Sequence, residues 1–133
     1  MKTGNCNNSG NSTKPCSESG LQAQIILEVC RMFPDGLTIW RNNTGAIHDG
    51  TRLVRFGIPG QADISGILKP LGCRIEIEVK RPDRKGRQSE AQKNFQTMIT
   101  SHGGLYLLCD GDIEGQVIQP IQERLERDRR VVR

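Results

Sequence analysis

A chain of 133 residues with 35% apolar and 26% charged side chains has the length and balance of one globular domain carrying one site. No apolar run approaches the ~18 residues that span a bilayer, and the N-terminus has no apolar signal core, so a soluble, cytoplasmic protein without a membrane partner is expected. Five cysteines (Cys6, Cys16, Cys30, Cys73, Cys109) without a C-x-x-C pair, and only two histidines, argue against a zinc site or a disulfide framework; the net charge of +4 is mild and only compatible with a nucleic-acid partner.

Residues 1–17 are polar, rich in Asn, Ser and Gly, and hold no large apolar residue after Met1, which predicts a disordered tail ahead of a single domain over 18–133. From about Ser17, the residues Leu21, Ile25, Val29 and Met32 recur at helical spacing and predict an amphipathic helix that stops at Pro34-Asp35-Gly36. Residues 37–42 and 51–56 are β-branched and aromatic in character and predict two strands separated by a Gly-rich turn. After the turn Gly57-Ile58-Pro59-Gly60, residues 62–68 and 73–80 predict a hairpin around Lys69-Pro70-Leu71-Gly72. Ser89 and Gln92 have capping-box spacing and open a helix with the stripe Ala91, Phe95, Met98 and Ile99, closed by Gly103-Gly104. Residues 105–109 read as a strand buried on both faces, and Val117, Ile121 and Leu125 mark a last helix whose Arg and Glu residues can pair along its surface. The order predicts an α/β domain, with Phe33, Trp40, Phe56, Phe95 and Tyr106 as core aromatics.

The hairpin separates two faces by alternation. Ile64, Leu68, Cys73, Ile75, Ile77 and Val79 fall on one, and Asp63, Ser65, Arg74, Glu76, Glu78 and Lys80 on the other. If 69–72 is the loop, Leu68 pairs with Cys73 and Asp63 stands opposite Glu78, at a separation where two carboxylates repel unless a cation lies between them. Oxygen ligands without Cys or His favour Mg²⁺ or Mn²⁺. Two carboxylates, a hard cation and Lys80 are the equipment for hydrolysing a phosphodiester. The same residues also fit a solvated face of cross-strand ion pairs.

Residues 80–87 hold five basic groups against Asp83, a local charge of +4, and Arg81, Arg84, Lys85 and Arg87 are suited to gripping a phosphate backbone or to lying in a solvated loop. Arg41 and Asn43 at the first strand are candidate further phosphate contacts, although an Asn-rich turn is the favoured reading of Asn42, Asn43 and His48. Gln92 completes the helix cap and is also placed to bind substrate or metal-bound water.

The succession Gly57-Ile58-Pro59-Gly60-Gln61-Ala62-Asp63, Ile75-Glu76-Ile77-Glu78-Val79-Lys80 and Gly86-Arg87-Gln88-Ser89-Glu90-Ala91-Gln92 resembles the VRR-NUC nucleases, a branch of the PD-(D/E)xK superfamily. Trp40-Arg41-Asn42-Asn43-Thr44-Gly45 is similar to a segment that follows the first strand in many members, and the resemblance runs from about Glu18 to Cys109. It implies a restriction-endonuclease-like αβββαβ core, a mixed sheet flanked by helices. It also implies Asp63, Glu78 and the Val79 carbonyl as ligands of Mg²⁺ or Mn²⁺, Lys80 as the catalytic lysine with Gln92 beside it, and a further helix carboxylate, Glu18 or alternatively Glu28. Ala62 departs from the pattern, which has proline there. Stand-alone phage and bacterial members imply a homodimer that cuts branched DNA in the manner of a Holliday-junction resolvase, with no nucleotide cofactor. A flap, nicking or restriction-like nuclease, and a non-catalytic DNA-binding module, are the other readings.

Overall fold

Ser17 opens the first helix, α1 (Glu18–Met32), by accepting the Gly20 N–H on its hydroxyl at 3.0 Å, so this residue is a cap and not the end of a tail. The structure is a computed structural model describing residues 17–84 and 87–133; residues 1–16, where the polar tail was expected, and Lys85 lie outside the described residues. Leu21, Ile25 and Val29 are buried as their spacing predicts, whereas Met32 is exposed because the helix ends there and Phe33 packs on the core in its place.

Strand β1 (Leu37–Arg41) is followed by a hairpin, β2 (Gly45–Asp49) and β3 (Arg52–Phe56), that forms a two-stranded sheet of its own. Gly50, at φ 63°, lies in the two-residue turn between Asp49 and its partner Arg52. Strand β2 falls where the sequence predicts only a turn. Its Gly, Ala and Asp are poor strand formers, and pairing with the β-branched and aromatic residues of β3 overrides that preference.

Strands β4 (Ile64–Leu68) and β5 (Cys73–Val79) form the expected hairpin, with Leu68 opposite Cys73 and Ser65 opposite Glu76. After a short 3₁₀ turn at Pro82–Arg84 come α2 (Glu90–Ser101), β6 (Leu105–Cys109), a π-type turn at Glu114–Ile118 and α3 (Gln119–Val131). The main sheet runs β1-β4-β5-β6, antiparallel except for the β5–β6 pair, which α2 connects as a crossover. With β2–β3 set aside as an insertion, this is the αβββαβ order: a mixed four-stranded sheet flanked by helices. No helix among the described residues is long and apolar enough to cross a membrane.

Each face of the sheet has its own core. On one, Leu21, Ile25 and Val29 of α1 and Val117, Ile121 and Leu125 meet Ile64, Leu68, Ile75, Ile77, Val79 and Cys109. On the other, Phe95 and Ile99 of α2 pack with Ala62 and Tyr106, the two rings edge to face at 6.5 Å. Both faces of β6 are thereby covered, although it is the last strand in the sheet order. Trp40 and Phe56, expected in the core, are exposed: Trp40 lies under the Arg74 guanidinium at 5.7 Å, and Phe56 covers Gly45 on the hairpin.

The turn before β4 sets the approach of α2. Gly60 has φ 75°, and a Cβ built there would stand 2.1 Å from the Ala91 carbonyl oxygen, so backbone meets backbone where the helix begins. Gly60→Ala is expected to destabilise the protein by about 1–3 kcal/mol, from left-handed strain and the clash together. Urea unfolding checks this, and an unchanged midpoint would show that the contact is not formed.

Candidate active site

The middle of the polar face of the β4–β5 hairpin is buried, with Asp63 and Lys80 half-buried and Arg74 exposed at its margins, which departs from the reading of it as a solvated face. Ser65 and Glu76 are 0% exposed and Glu78 is 3% exposed. Glu76 is fully partnered: Arg74 donates to one carboxylate oxygen and the Ser65 hydroxyl to the other at 2.7 Å. The Arg74–Glu76 pair runs along one strand, not across two.

Glu78 is not so provided. Its Oε1 accepts from Gln92 Nε2 at 2.7 Å and lies 3.3 Å from Lys80 Nζ, but its buried Oε2 has no hydrogen-bond partner. Burial, followed by the Asp63 charge, pushes the Glu78 carboxyl up to about 7 against the pull of Lys80. Asp63 sits one residue before β4, where the hairpin register sets it opposite Glu78. Its Oδ2 accepts the Val79 N–H at 2.8 Å. Burial raises the Asp63 carboxyl too, opposed first by that N–H, while the Glu18 charge adds to the rise.

Gln92 fills both of its expected roles. Its backbone N–H donates to Ser89 Oγ at 3.2 Å and its Oε1 accepts from the Ser89 N–H at 2.9 Å, completing the capping box. The same Oε1 accepts from Lys80 Nζ at 2.9 Å while Nε2 holds Glu78, so one amide fixes the lysine and the glutamate relative to each other. The Lys80 backbone is held in turn by its N–H bond to the Cys109 carbonyl at 2.9 Å.

Asn42 carries a role that the sequence reading missed. Its backbone N–H donates to the Asp63 carbonyl at 2.8 Å, and its side-chain amide donates to the Ala62 carbonyl at 2.9 Å and to the Ser65 hydroxyl. Three bonds from one residue thus clamp the segment that carries Asp63. A polar residue immediately after a strand, facing the start of a neighbouring strand, was the only available signal. Arg41 does not project freely as a phosphate contact: its Nη2 donates to Gln22 Oε1 at 2.7 Å and Ser19 Oγ at 3.3 Å, tying β1 to the first turns of α1. That same first turn carries Glu18, whose charge acts on both Asp63 and Glu78, whereas Glu28 is hydrogen-bonded to Gln24 further along the helix.

Arg81 pairs with Asp83 at 2.8 Å, Arg84 ends the 3₁₀ turn, and Arg87 and Asn43 are exposed. A cleft of about 540 Å³ reaches Asp63, Glu78 and Gln92, and its opposite wall is the β2–β3 hairpin with Ala46, Arg55 and Phe56. The hairpin's part in this wall was not foreseen. The turn pair Asp49-Gly50 was the one local signal for it.

A buried carboxylate with an orphaned oxygen, Glu78, beside a half-buried one, Asp63, fits a hard cation. Among the described residues no three Asp, Glu, His or Cys side chains gather closely enough to enclose an ion alone. That donor set matches Mg²⁺ or Mn²⁺ retaining several waters, and lacks the imidazole or thiolate that zinc favours. Comparison with family models, with curated proteins and with solved structures finds no match.

The raised Glu78 carboxyl makes stability pH-dependent. Between the ordinary value of 4.5 and about 7 the folded state holds a proton that the unfolded state releases, so stability is full below that window and falls as pH rises through it. Melting in EDTA should show the transition temperature declining from pH 5 to pH 8 for wild type and a flatter profile for Glu78→Gln. Identical profiles would contradict the assignment.

Proposed function

We propose that the chain is a Mg²⁺- or Mn²⁺-dependent DNA endonuclease of the VRR-NUC type, with Asp63 and Glu78 as the ligands and Lys80 as the catalytic lysine. The observation that carries this reading is the buried, unpartnered Glu78 oxygen beside Asp63, with Lys80 and Gln92 bonded to the same carboxylate. The ion, when bound, supplies a lowered pKa for water and a polarised phosphoryl oxygen.

The remaining work falls to the chain. Lys80 is the ammonium within reach of the charge that grows on the phosphate, and it stabilises that charge or positions the attacking water. Gln92 is its positioning residue, fixing Nζ at 2.9 Å so that the lysine does not close fully onto Glu78. Burial of Glu78 beside these groups lowers the local dielectric, which strengthens each of these interactions. Asp63 is aimed by the Val79 N–H and by the Asn42 clamp on its backbone. Ala62, where related motifs have proline, is consistent with this: the turn is fixed by the Asn42 bonds to Ala62 and Asp63 instead of by a ring.

In this proposal the Val79 carbonyl joins Asp63 and Glu78 as a ligand, and Glu18, which is not gathered with them, acts on the pair through its charge. Branched DNA is the substrate, a homodimer supplies two symmetric cuts, and the enzyme works in the cytoplasm. Cleavage of labelled four-way junction, flap, splayed arm and linear duplex in Mn²⁺, Mg²⁺ or EDTA tests it. Metal-dependent cutting of the junction, reduced about 100-fold or more in Asp63→Ala and Lys80→Ala, is the expected result. Unimpaired cutting by either variant removes the mechanism, and binding without cutting by wild type leaves a DNA-binding module.

A further inference from the structure

The β2–β3 ribbon stands outside the main sheet, and every residue of it except Val54 is exposed. Ile47 is 58% exposed and Leu53 44%, on opposite faces of the ribbon. A lone two-stranded hairpin gains little stability from its own packing, so a ribbon kept at the mouth of the site points to something that it contacts. Its register puts Ile47, Asp49, Arg52, Val54 and Phe56 on one face and Ala46, His48, Leu53 and Arg55 on the other. Each face therefore carries one arginine, and among the described residues neither Arg52 nor Arg55 makes an ion pair or a side-chain hydrogen bond. Arg55 lines the same cleft as Asp63 and Glu78.

We infer that the β2–β3 ribbon is the arm that grips duplex DNA beside the cut, lying in a groove with Arg52 toward one phosphate wall and Arg55 toward the other. The inference rests on the nuclease reading for its substrate. A groove has two anionic walls, and the major groove, about 12 Å wide, admits a two-stranded ribbon. One guanidinium on each face suits two walls, whereas a single strand offers one backbone. A second copy of the chain fits less well. A two-fold contact sets the same patch against itself, so a contact through the cleft-side face would set Arg55 against its mate with no acidic residue of the ribbon on that face. The cleft gives the arm its direction, because the strand held at Arg55 continues toward the carboxylate pair.

Full-length wild type, Arg52→Ala, Arg55→Ala, the double variant and Arg55→Lys are titrated onto a fluorescent 30-base-pair duplex, with Ca²⁺ in place of Mn²⁺, from 50 to 250 mM salt. Each alanine variant should reduce the slope of log K against log[salt] by about 1, and the double variant by about 2. Arg55→Lys should keep the wild-type slope, and melting temperatures should not move, since both side chains are exposed. Unchanged slope and affinity in the double variant overturn the proposal. A drop from dimer to monomer in the double variant overturns it as well, since a second copy is then the occupant. The nuclease reading fails separately: a wild type that cuts no DNA in Mn²⁺ but shows the slope changes loses that reading and keeps the arm.

Discussion

Two carboxylates, the buried Glu78 and the half-buried Asp63, lie on one face of the β4–β5 hairpin, and the protein around them is arranged by that fact. Withdrawing a carboxylate from water costs several kcal/mol unless it is protonated, paired or bound to an ion. Glu76, two residues away on the same face, shows the structural solution, with both oxygens occupied and its charge paired to Arg74. Glu78 has only Oε1 occupied, and its carboxyl rises to about 7. Adjacent glutamates on one strand face thus have different environments, one completed by the protein and one left with an unpartnered oxygen.

The segments around the pair serve to hold it. Gly60 lets the turn before β4 touch the backbone of α2, which brings Gln92 over Lys80 and Glu78. Asn42 fastens the end of β1 to Ala62 and Asp63, and Arg41 fastens the same strand end to α1 near Glu18. The all-apolar core on the other face, built from α1, α3 and the inward residues of the sheet, supplies the rigidity against which these polar contacts are made. The larger apolar core and the candidate site lie on opposite faces of one sheet.

The division of faces was legible in the sequence because alternation over residues 62–80 allows only one assignment, and the Lys69–Gly72 loop length fixed the register that opposes Asp63 and Glu78. Helix stripes and the Ser89–Gln92 capping box were legible for the same local reasons. Burial of the polar face was not. Period two sorts residues onto faces but says nothing of which helix covers a face, so Glu76 and Glu78 read equally well as surface residues. The hydrogen bonds of Asn42 and Arg41 link residues about twenty apart in sequence, and no local pattern encodes them. Trp40 and Phe56 were misplaced by hydrophobicity alone, since each is covered on one side only, by Arg74 or by Gly45. Strand β2 was hidden by its own residues and is made by its partner.

The account turns on whether the Asp63–Glu78 pair takes an ion. Titration calorimetry of Mn²⁺ into the metal-free protein at pH 6.5, in two buffers of different ionisation enthalpy, reads both the binding and the protons that it displaces. Saturable binding is expected with release of a substantial fraction of a proton, since burial pushes the Glu78 carboxyl up to about 7, and with loss of both signals in Asp63→Asn. Absence of binding by the wild type, or binding without proton release that survives Asp63→Asn, would contradict it.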